Sequence, residues 1–498
     1  MEHFDVLIVG AGLSGIGAAA HLRMECPGKS FAILEGRAAM GGTWDLFCYP
    51  GIRSDSDMYT LGYRFRPWTD PKAIADGPAI LNYIRETAGE FGLAEKIRYN
   101  HRVQQASWSS NEARWTVEAE AGPDKSIVRY TCGFLYLCTG YYDYENGYTP
   151  EWPGTNRFRG RILHPQKWDK ELDYTGKRVV VIGSGATAVT LVPAMAERAG
   201  HVTMLQRSPT YIVSRPAEDK LANWLRRRLP ARAAYALTRW KNVLLGMFFY
   251  KLARSRPAVM KRLITKGVRQ QLGEDYDLKH FTPPYNPWDQ RLCLVPDSDL
   301  FCAIREGKAS VVTDHIESFT ETGIHLKSGE HLDADIIVTA TGLVLKLMAG
   351  LQLVVDGEPV DMSKTLAYKG MMYSDVPNLA SALGYTNASW TLKCDLTAEY
   401  VCRLLKYMDS NGYDQCAPRI NDPSVVSEPV LDFNSGYVQR ALDTLPKQGS
   451  KTPWRLHQNY VKDLSMLRYG RVEDGTMEFK TALAARRSDE KTADENSL

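Results

Sequence analysis

Three glycines close to the start of the chain have a spacing that can bind the phosphates of a dinucleotide. Gly10, Gly12 and Gly15 form the pattern GxGxxG. The first glycine allows a sharp turn, the second lets the backbone approach a pyrophosphate, and the third lets a helix pack on a strand. Glu35 follows 20 residues after the last glycine, where its carboxylate can accept hydrogen bonds from ribose hydroxyls. These residues predict a dinucleotide site that accepts a free ribose.

A second glycine pattern, GSGATA, begins 183 − 10 = 173 residues after the first. Its residues are Gly183, Ser184, Gly185, Ala186, Thr187 and Ala188. Alanine is tolerated at its last fixed position. The strand after it is predicted to end in Gln206 and Arg207 where an acid would hold a free ribose. A guanidinium suits a 2′-phosphate, which a carboxylate would repel, so this pattern favours NADP over NAD. An arginine at a strand end can also be an ordinary surface residue.

Both patterns are flanked by the elements that a dinucleotide turn requires. FDVLIV, from Phe4, is predicted to be a strand that is apolar apart from Asp5, and helical apolar spacing follows the glycines to about Cys26, before a second strand, FAIL. The same order returns in KRVVVI, the second glycine pattern and HVTMLQ. Further strands are predicted at about 309–312 and 335–339, and a helix at 396–408. The chain is therefore predicted to have an α/β fold with two Rossmann-like dinucleotide-binding domains.

The segment between about 217 and 275 differs from the rest. It is predicted to form helices broken at Pro230 and Pro257, without a strand. Residues 220–270 contain 14 Lys or Arg and no acid, interleaved with Trp224 and Trp240. A basic amphipathic face of this kind can lie on anionic lipid. A solvated helical insertion would instead turn its charges to water, and both interpretations stay open.

Composition excludes several other classes of protein. The net charge of +3 gives no general argument for binding nucleic acid. The nine cysteines are scattered without a CxxC pair, which disfavours a disulfide framework or a metal site. The apolar run 243–250 is eight residues long, whereas a membrane-spanning helix needs about 20. Without a signal peptide ahead of the first strand, a cytoplasmic protein is expected, with at most a peripheral membrane contact.

Two stretches resemble fingerprints of the Baeyer–Villiger monooxygenases. GGTWDLFCYPGIRSD (41–55) is similar to the second fingerprint of that family, and FRGRILHPQKWD (158–169) matches the main one, FxGxxxHxxxW followed by Pro or Asp. The fixed positions of the main fingerprint are Phe158, Gly160, His164, Trp168 and Asp169. The resemblance is greatest to the subgroup of ethionamide-activating monooxygenases. It runs from the first strand to about residue 468 and is weakest in the helical insertion and the tail.

The resemblance implies a role for several side chains. Arg291 corresponds to the family arginine that stabilises negative charge on a peroxyflavin and on the intermediate it forms with a ketone, and Asp55 to a carboxylate that orients that arginine. His164 is assigned a conformational role in the linker between the two domains. Gln290 stands where the family's ketone oxidisers usually have a lysine beside the 2′-phosphate, which leaves Arg207 as the main support for NADP.

The resemblance also implies FAD at the first glycine pattern and NADPH at the second. Additional residues expected at FAD are Ser14, Thr43, Trp44, Asp45, Leu46, Asp55 and Val103. Those expected at NADPH are Ser184, Gly185, Ala186, Thr187 and Gln206. Trp390, in TNASWTLK, is a candidate wall of the flavin site, or a core aromatic residue. No metal is expected.

The predicted domains follow from these assignments. They are an FAD-binding domain (1–145 and 336–485), an NADP-binding domain (146–215, with the linker fingerprint 158–169, and 286–335), a helical insertion (216–285) and a disordered tail (486–498).

The expected reaction is insertion of oxygen from O2 next to a ketone carbonyl, with sulfur oxygenation of thioethers or thioamides. A flavin-containing N- or S-monooxygenase, whose fingerprint ends differently from Trp168-Asp169, is the main alternative. A non-enzymatic membrane-associated flavoprotein is a further one.

Overall fold

The computed structural model describes residues 1–290, 292–430 and 435–482. Arg291 and the predicted disordered tail lie outside these residues. The α-helices are α1 Leu13–Glu25, α2 Thr43–Leu46, α3 Met58–Leu61, α4 Gly77–Glu90, α5 Ala186–Ala196, α6 Lys220–Arg228, α7 Ala231–Ser255, α8 Pro257–Leu272, α9 Asp299–Arg305, α10 Trp390–Asn411, α11 Gly436–Gln439 and α12 Tyr460–Leu464.

The strands in the first half of the chain are β1 Glu2–Val9, β2 Phe31–Leu34, β3 Ile97–Arg98, β4 His101–Ser109, β5 Arg114–Ala121, β6 Ser126–Leu137, β7 Tyr142–Gly147, β8 Arg161–Leu163, β9 Arg178–Ile182, β10 His201–Gln206 and β11 Ile212–Arg215. Those in the second half are β12 Cys293–Pro296, β13 Ala309–Thr313, β14 Ile316–Phe319, β15 Gly323–Leu326, β16 His331–Asp333, β17 Ile336–Thr339, β18 Leu343–Leu345, β19 Gln352–Val355, β20 Glu358–Pro359, β21 Ala367–Tyr368, β22 Met372–Tyr373, β23 Leu379–Ser381, β24 Gln415–Pro418, β25 Ser427–Pro429, β26 Lys447–Gly449 and β27 Met477–Lys480.

The first glycine pattern follows a strand at the centre of a large sheet. The strand order is β20-β19-β4-β5-β6-β1-β2-β3, with β23 also paired to β6. β1 is parallel to β2 and β6. Val6 and Ile8 face a core shared with α1 and α10, called the first core below, while Leu7 and Val9 face a separate core on the other side of the sheet. Burial on both faces explains why the second half of β1, VLIV, is continuously apolar and does not alternate.

The second glycine pattern follows the central strand of a smaller parallel sheet. Its order is β13-β10-β9-β17-β8. Val179 and Val181 of β9 pack with α5 in what is called the second core below, and Val180 and Ile182 face the antiparallel strands β14–β16. β17 is paired with β9, so this sheet continues past the boundary predicted at residue 335. The predicted α/β fold with Rossmann-like domains is confirmed.

The chain crosses between the two sheets at a pair of short strands. β7 follows the last long strand of the first sheet, β18 follows β17 of the second sheet, and the two pair with each other in antiparallel fashion. The leaving and returning segments are therefore held side by side between two units, the first unit built around the large sheet and the second unit around the smaller parallel sheet.

The predicted insertion is helical, as expected. Pro230 is the residue before α7 and Pro257 the first residue of α8, positions where a missing backbone N–H leaves no helical hydrogen bond unmade. Tyr235 and Val243 of α7 belong to the first core, and Val268 of α8 to the second. The insertion therefore packs on both units. Within the described ranges, no helix has the length and apolarity needed to cross a bilayer.

The helix predicted at 396–408 is longer than expected. It is α10, which begins at Trp390 and ends before Gly412, a glycine with φ of 66°. Its first turns include buried polar residues that conceal the helical pattern: Lys393 and Asp395 are 4% and 3% exposed. They are buried because each meets an opposite charge, which apolar periodicity cannot reveal.

Candidate active site

The first glycine turn requires glycine at two of its three positions for steric reasons. Gly10 has φ of 104°, and a Cβ there would lie 2.5 Å from the carbonyl oxygen of Cys138. A Cβ on Gly15 would lie 1.8 Å from the carbonyl oxygen of Gly10. Gly12 caps α1 without a side-chain hydrogen bond, and the first turn of the helix contains no acid. The N–H groups of that turn can therefore bind an anion.

Glu35 is held against this turn. One carboxylate oxygen accepts the backbone N–H of Ala11 at 2.8 Å and the other that of Arg37 at 2.9 Å. Burial raises the pKa of Glu35, and the two backbone N–H groups oppose that shift. Each carboxylate oxygen can accept a further hydrogen bond, so the group can still bind a ribose hydroxyl.

The segment 41–46 packs on the other side of the turn. Gly42 has φ of 56°, and a Cβ there would lie 3.0 Å from the Cα of Gly12. Thr43 hydrogen-bonds the hydroxyl of Tyr142 at 2.5 Å, and Asp45 pairs with Arg37 at 2.8 Å. The remaining predicted FAD residues near this segment are partly or fully buried: Trp44, Leu46 and Val103.

The start of α10 lies beside the same turn. The indole N–H of Trp390 donates to Ser14 Oγ at 3.0 Å, and its ring stacks on Tyr141 with a centroid distance of 5.0 Å. The hydroxyl oxygens of Ser389 and Thr391 are buried without a hydrogen-bond partner. An unpaired buried hydroxyl costs about 1–3 kcal/mol, so these groups fit a polar ligand edge such as that of a flavin ring.

A large cleft brings the two units together. Its volume is about 1560 Å³. It is lined by Asp55 at the end of the fingerprint 41–55, by Ser214 and Arg215 of β11, and by Ser389. Arg291 lies outside the described residues, while its neighbour Leu292 lines this cleft. In the described part of the chain, no group of three or more His, Cys, Asp or Glu side chains is arranged to hold a metal.

A smaller, mostly apolar cavity of about 140 Å³ lies behind Trp390. A buried ion pair forms part of its wall, in which Lys393 Nζ is 2.9 Å from Asp463. The hydroxyl of Tyr385 donates to the same carboxylate at 2.7 Å. Burial and this carboxylate raise the pKa of Tyr385, so the tyrosine stays a hydrogen-bond donor at neutral pH.

The second glycine turn is more open. Gly183 has φ of 134°, and a Cβ there would lie 2.3 Å from the carbonyl oxygen of Ala340. Gly185 caps α5 without a side-chain hydrogen bond, and a Cβ there would meet nothing within 4 Å. Ser184 donates to the carbonyl of Ser208 at 3.2 Å. The last position, Ala188, is fully buried.

The two residues at the end of β10 that are predicted to bind NADPH differ in their exposure. Gln206 is 1% exposed, and its amide nitrogen donates to the carbonyl of His280 at 2.7 Å and to Thr313 at 2.9 Å. Arg207 is exposed. The side-chain amide of Gln206 is thus used inside the protein, whereas the guanidinium of Arg207 can reach a ligand.

The linker fingerprint packs against the crossing strands. His164 Nδ1 accepts the N–H of Gln166 at 3.2 Å, so the proton is on Nε2, which donates to the carbonyl of Gly342 at 3.2 Å. Burial lowers the pKa of His164, which favours this neutral form. A Cβ on Gly147 of β7 would lie 2.0 Å from the His164 ring. The histidine therefore fits closely between the two connections.

The other fingerprint residues make packing contacts or ion pairs within the second unit. A Cβ on Gly160 would lie 2.3 Å from the carbonyl oxygen of Asp335, and Phe158 is buried in the core beneath it. Trp168 packs on the second core, and Asp169 pairs with Arg161 at 2.8 Å. Arg161 and a backbone N–H lower the pKa of Asp169.

Comparison with known proteins identifies the family. The description "Flavin-binding monooxygenase-like" matches residues 70–355, and "NAD(P)-binding Rossmann-like domain" matches residues 8–70. The chain belongs to the flavin-binding monooxygenase-like family.

Relatives in this family match over nearly the whole chain. The FAD-containing monooxygenase EthA of Mycobacterium tuberculosis is 57% identical over 480 residues, which cover 96% of this chain and 98% of that protein. EthA of Mycolicibacterium smegmatis is 55% identical, covering 97% and 98%. Among solved structures, a steroid monooxygenase bound to NADP has a TM-score of 0.73 at 22% identity, covering 96% of this chain and 100% of its own. An open structure of cyclohexanone monooxygenase has a TM-score of 0.73 at 18% identity, covering 97% and 100%.

In this flavin-binding monooxygenase-like chain, the loop at 47–53 joins the two units, a role that local sequence patterns do not reveal. Tyr49 is buried in the second core, and a Cβ on Gly51 would lie 2.6 Å from the Cβ of Ala194 in α5. Arg53 forms an ion pair with Asp299 of α9. The sequence pointed to this loop only through the glycine and aromatic residues of the fingerprint 41–55, which do not show the surface that it contacts.

Proposed function

We propose that the chain is a Baeyer–Villiger monooxygenase, which inserts one oxygen atom of O2 next to a ketone carbonyl to give an ester or lactone and also oxygenates sulfur in thioethers or thioamides. Its cofactors are FAD and NADPH. The observation that supports this best is the shared cleft, because Asp55, the neighbour of Arg291 and the start of α10 all line it. Hydride transfer would require the flavin and the nicotinamide to be held together in such a cleft.

FAD fits the first turn on three grounds. The N–H groups at the start of α1 are uncapped, Glu35 can bind a ribose hydroxyl, and Ser389 and Thr391 offer unpaired hydroxyls near Trp390. NADPH fits the second turn, where the space above Gly185 is open and Arg207 is exposed. FAD held at the first turn would, when reduced by NADPH, provide the means of activating O2 for transfer to the substrate.

Arg291 holds negative charge that develops beside the substrate carbonyl, and Asp55 orients the guanidinium. An arginine suits this role because it keeps its charge at every relevant pH and does not donate its proton to the oxygen species. In a site from which water is excluded, such a fixed charge would act more strongly than it does in solution.

His164 controls the relative position of the units and takes no part in proton transfer. Its neutral ring, with both nitrogens in hydrogen bonds, supports this role.

We also retain the predicted division into an FAD-binding domain, an NADP-binding domain and an insertion. The end of the NADP-binding domain is moved to Thr339, because β17 pairs in the second sheet.

A flavin-containing N- or S-monooxygenase is the second candidate, since the family description covers it equally well. The two functions differ in product. Purified protein supplied with NADPH, a panel of linear, cyclic and aryl ketones and ¹⁸O2 should form esters or lactones that contain one labelled oxygen. Oxygenation of amines and sulfides alone, with no ester from any ketone, would favour the second candidate.

Arg291→Ala tests whether Arg291 stabilises the negative charge that develops beside the substrate carbonyl. The variant should keep bound FAD and lose ester and sulfoxide formation by about 100- to 1000-fold, the usual effect of removing one such stabilising group, while residual NADPH oxidation ends in hydrogen peroxide. Arg198→Ala, at an exposed arginine of the second unit, is the control and should behave as the parent. Ester formation by Arg291→Ala at nearly the parental rate and coupling would show that another group holds the charge.

A further inference from the structure

The helical insertion exposes an unusual amount of apolar surface. Ten of the 17 exposed large hydrophobic residues in the described part of the chain lie within residues 220–270. They are Leu221, Trp224, Leu229, Leu237, Trp240, Leu244, Leu245, Phe248, Val259 and Leu263. Single exposed apolar residues are normal, but a concentration of this kind marks an interaction surface.

Helix α7 shows that the exposure is organised. Leu237, Trp240, Leu244 and Phe248 recur every three or four residues and are 40–60% exposed, so they form one stripe about 16 Å long. The buried residues of this helix, such as Tyr235, lie on the opposite side. Packing within the folded chain therefore accounts for the residues on the inner face of α7, but it does not account for the apolar residues on the exposed face.

The charge around this stripe is of one sign. All 14 charged residues in 220–270 are Lys or Arg, and ten of them are exposed. The carboxylates that pair with Lys241, Arg254 and Arg269 lie outside the segment. A second copy of the chain would present the same positive surface and be repelled, whereas an anionic bilayer complements both the charge and the apolar stripe.

We propose that α6, α7 and α8 form a docking surface for anionic phospholipid membranes. The apolar stripe enters the boundary between headgroups and acyl chains, and the flanking arginines and lysines bind lipid phosphates. Trp224 and Trp240 are amphipathic aromatic residues of the kind found at that depth.

The docking surface also borders the large cleft. Leu244, Leu245, Phe248 and Leu263 are exposed and line the cleft as well. When α7 lies on a bilayer, the cleft opens towards the acyl chains. This second step rests on the proposed function: the substrate is then a lipophilic ketone or thioether that enters from the membrane.

Vesicle binding of the full-length, FAD-loaded protein tests the docking. Vesicles containing phosphatidylglycerol should bind the protein at low salt and release it as salt rises, because surface charges are screened beyond about 8 Å at physiological ionic strength, and vesicles of phosphatidylcholine alone should bind it weakly. Arg227→Gln/Arg228→Gln/Arg262→Gln, at exposed positions outside the cleft, should lower the partition constant roughly 100-fold. Trp224→Ser/Leu237→Ser should lower it at least roughly 10-fold.

Matched controls remove equivalent groups elsewhere. Arg114→Gln/Arg159→Gln/Arg198→Gln removes three exposed arginines outside the insertion, and Ile127→Ser replaces an apolar residue that is 56% exposed. Both should bind as the parent does. Absence of binding to phosphatidylglycerol vesicles at low salt, or equal losses in the insertion variants and the controls, would overturn the docking. So would a dimer that Trp224→Ser/Leu237→Ser dissociates, since a second copy would then cover the surface.

The entry of substrate is tested separately. The triple arginine variant should oxidise a small water-soluble ketone at the parental rate and a long-chain ketone dissolved in anionic vesicles at least about 10-fold more slowly, in line with its weaker binding. Equal rates on the vesicle-borne ketone would overturn entry from the membrane and leave the docking result intact. If the parent protein oxidises neither ketone, the proposed function is contradicted instead.

Discussion

The two glycine turns share a sequence pattern, yet they differ in how tightly the protein encloses them. In the first turn the last position must be glycine, because a Cβ on Gly15 would lie 1.8 Å from the carbonyl oxygen of Gly10. In the second turn the equivalent position is Ala188, which is fully buried. Helix α5 therefore leaves room for a methyl group above its strand, and α1 does not. The residue at this position reports the distance between helix and strand.

The same difference appears at the ends of the following strands. Glu35 is buried and bound to the N–H of Ala11, so it stabilises the first turn with or without a nucleotide. Arg207 is exposed, so its guanidinium is available to a molecule that binds from outside. The first site is part of the core, as suits a cofactor that stays bound, and the second is open, as suits a nucleotide that exchanges.

A buried ionic cluster strengthens the first unit further. His21 on α1 lies 3.1 Å from Glu25 and 3.5 Å from Asp395 on α10. Arg239 of the insertion lies 3.2 Å from the same Asp395 and also donates to the carbonyls of Tyr59 and Gly62. The cluster ties the insertion to the helices that support the first turn.

The largest expected effect comes from exchanging the residues at the last positions of the two turns. Gly15→Ala should lower stability by at least about 3 kcal/mol, because the methyl group meets backbone that cannot rotate away, and the purified protein should lose its bound flavin. Ala188→Gly, the matched change in the second turn, should lower stability by only about 1 kcal/mol. Thermal unfolding and the flavin absorbance of both variants check this. A Gly15→Ala protein that stays yellow with the parental Tm would show that the two turns are equally open.

The next effect concerns pH. Burial alone would lower the pKa of His21, but Asp395 and Glu25 raise it to about 9. Because the folded-state value lies above the unfolded one of about 6.5, the contribution of this charge is complete below pH 6.5 and is lost as pH rises towards 9. It amounts to at most about 3 kcal/mol, from 1.36 kcal/mol per pH unit.

His21→Gln should therefore lower the Tm at pH 6 and remove most of the decrease in Tm between pH 6.5 and 9. His201→Gln is the control, since His201 in the second unit contacts a carbonyl and a serine hydroxyl. The same slope in the parent and in His21→Gln would assign the pH dependence to other groups.

Features defined by neighbours in the sequence could be predicted, and those defined by distant partners could not. The strands and glycines of both turns follow from apolar runs and steric rules, and Pro230 and Pro257 gave the limits of the insertion helices. The start of α10 was missed because Lys393 and Asp395 are polar, and only the folded chain supplies Asp463 and Arg239 as their partners. The contact between Gly51 and Ala194 was missed for the same reason.

Arg207→Ala gives the smallest expected effect and defines the open site most sharply. A hydrogen bond to a charged group contributes about 1.5–3 kcal/mol, and the exposure of Arg207 favours the lower end, so the KM for NADPH should rise about 10-fold. The KM for NADH, which lacks the 2′-phosphate, should change little. Flavin content and Tm should stay at the parental values, because no core contact is removed, and Arg198→Ala should leave both KM values unchanged. Equal increases in the two KM values would remove the basis for selecting NADPH at this residue. A fall in Tm or in flavin content would mean that the second site is tied to the core as the first one is. The two turns would then differ only in having glycine at position 15 and alanine at position 188.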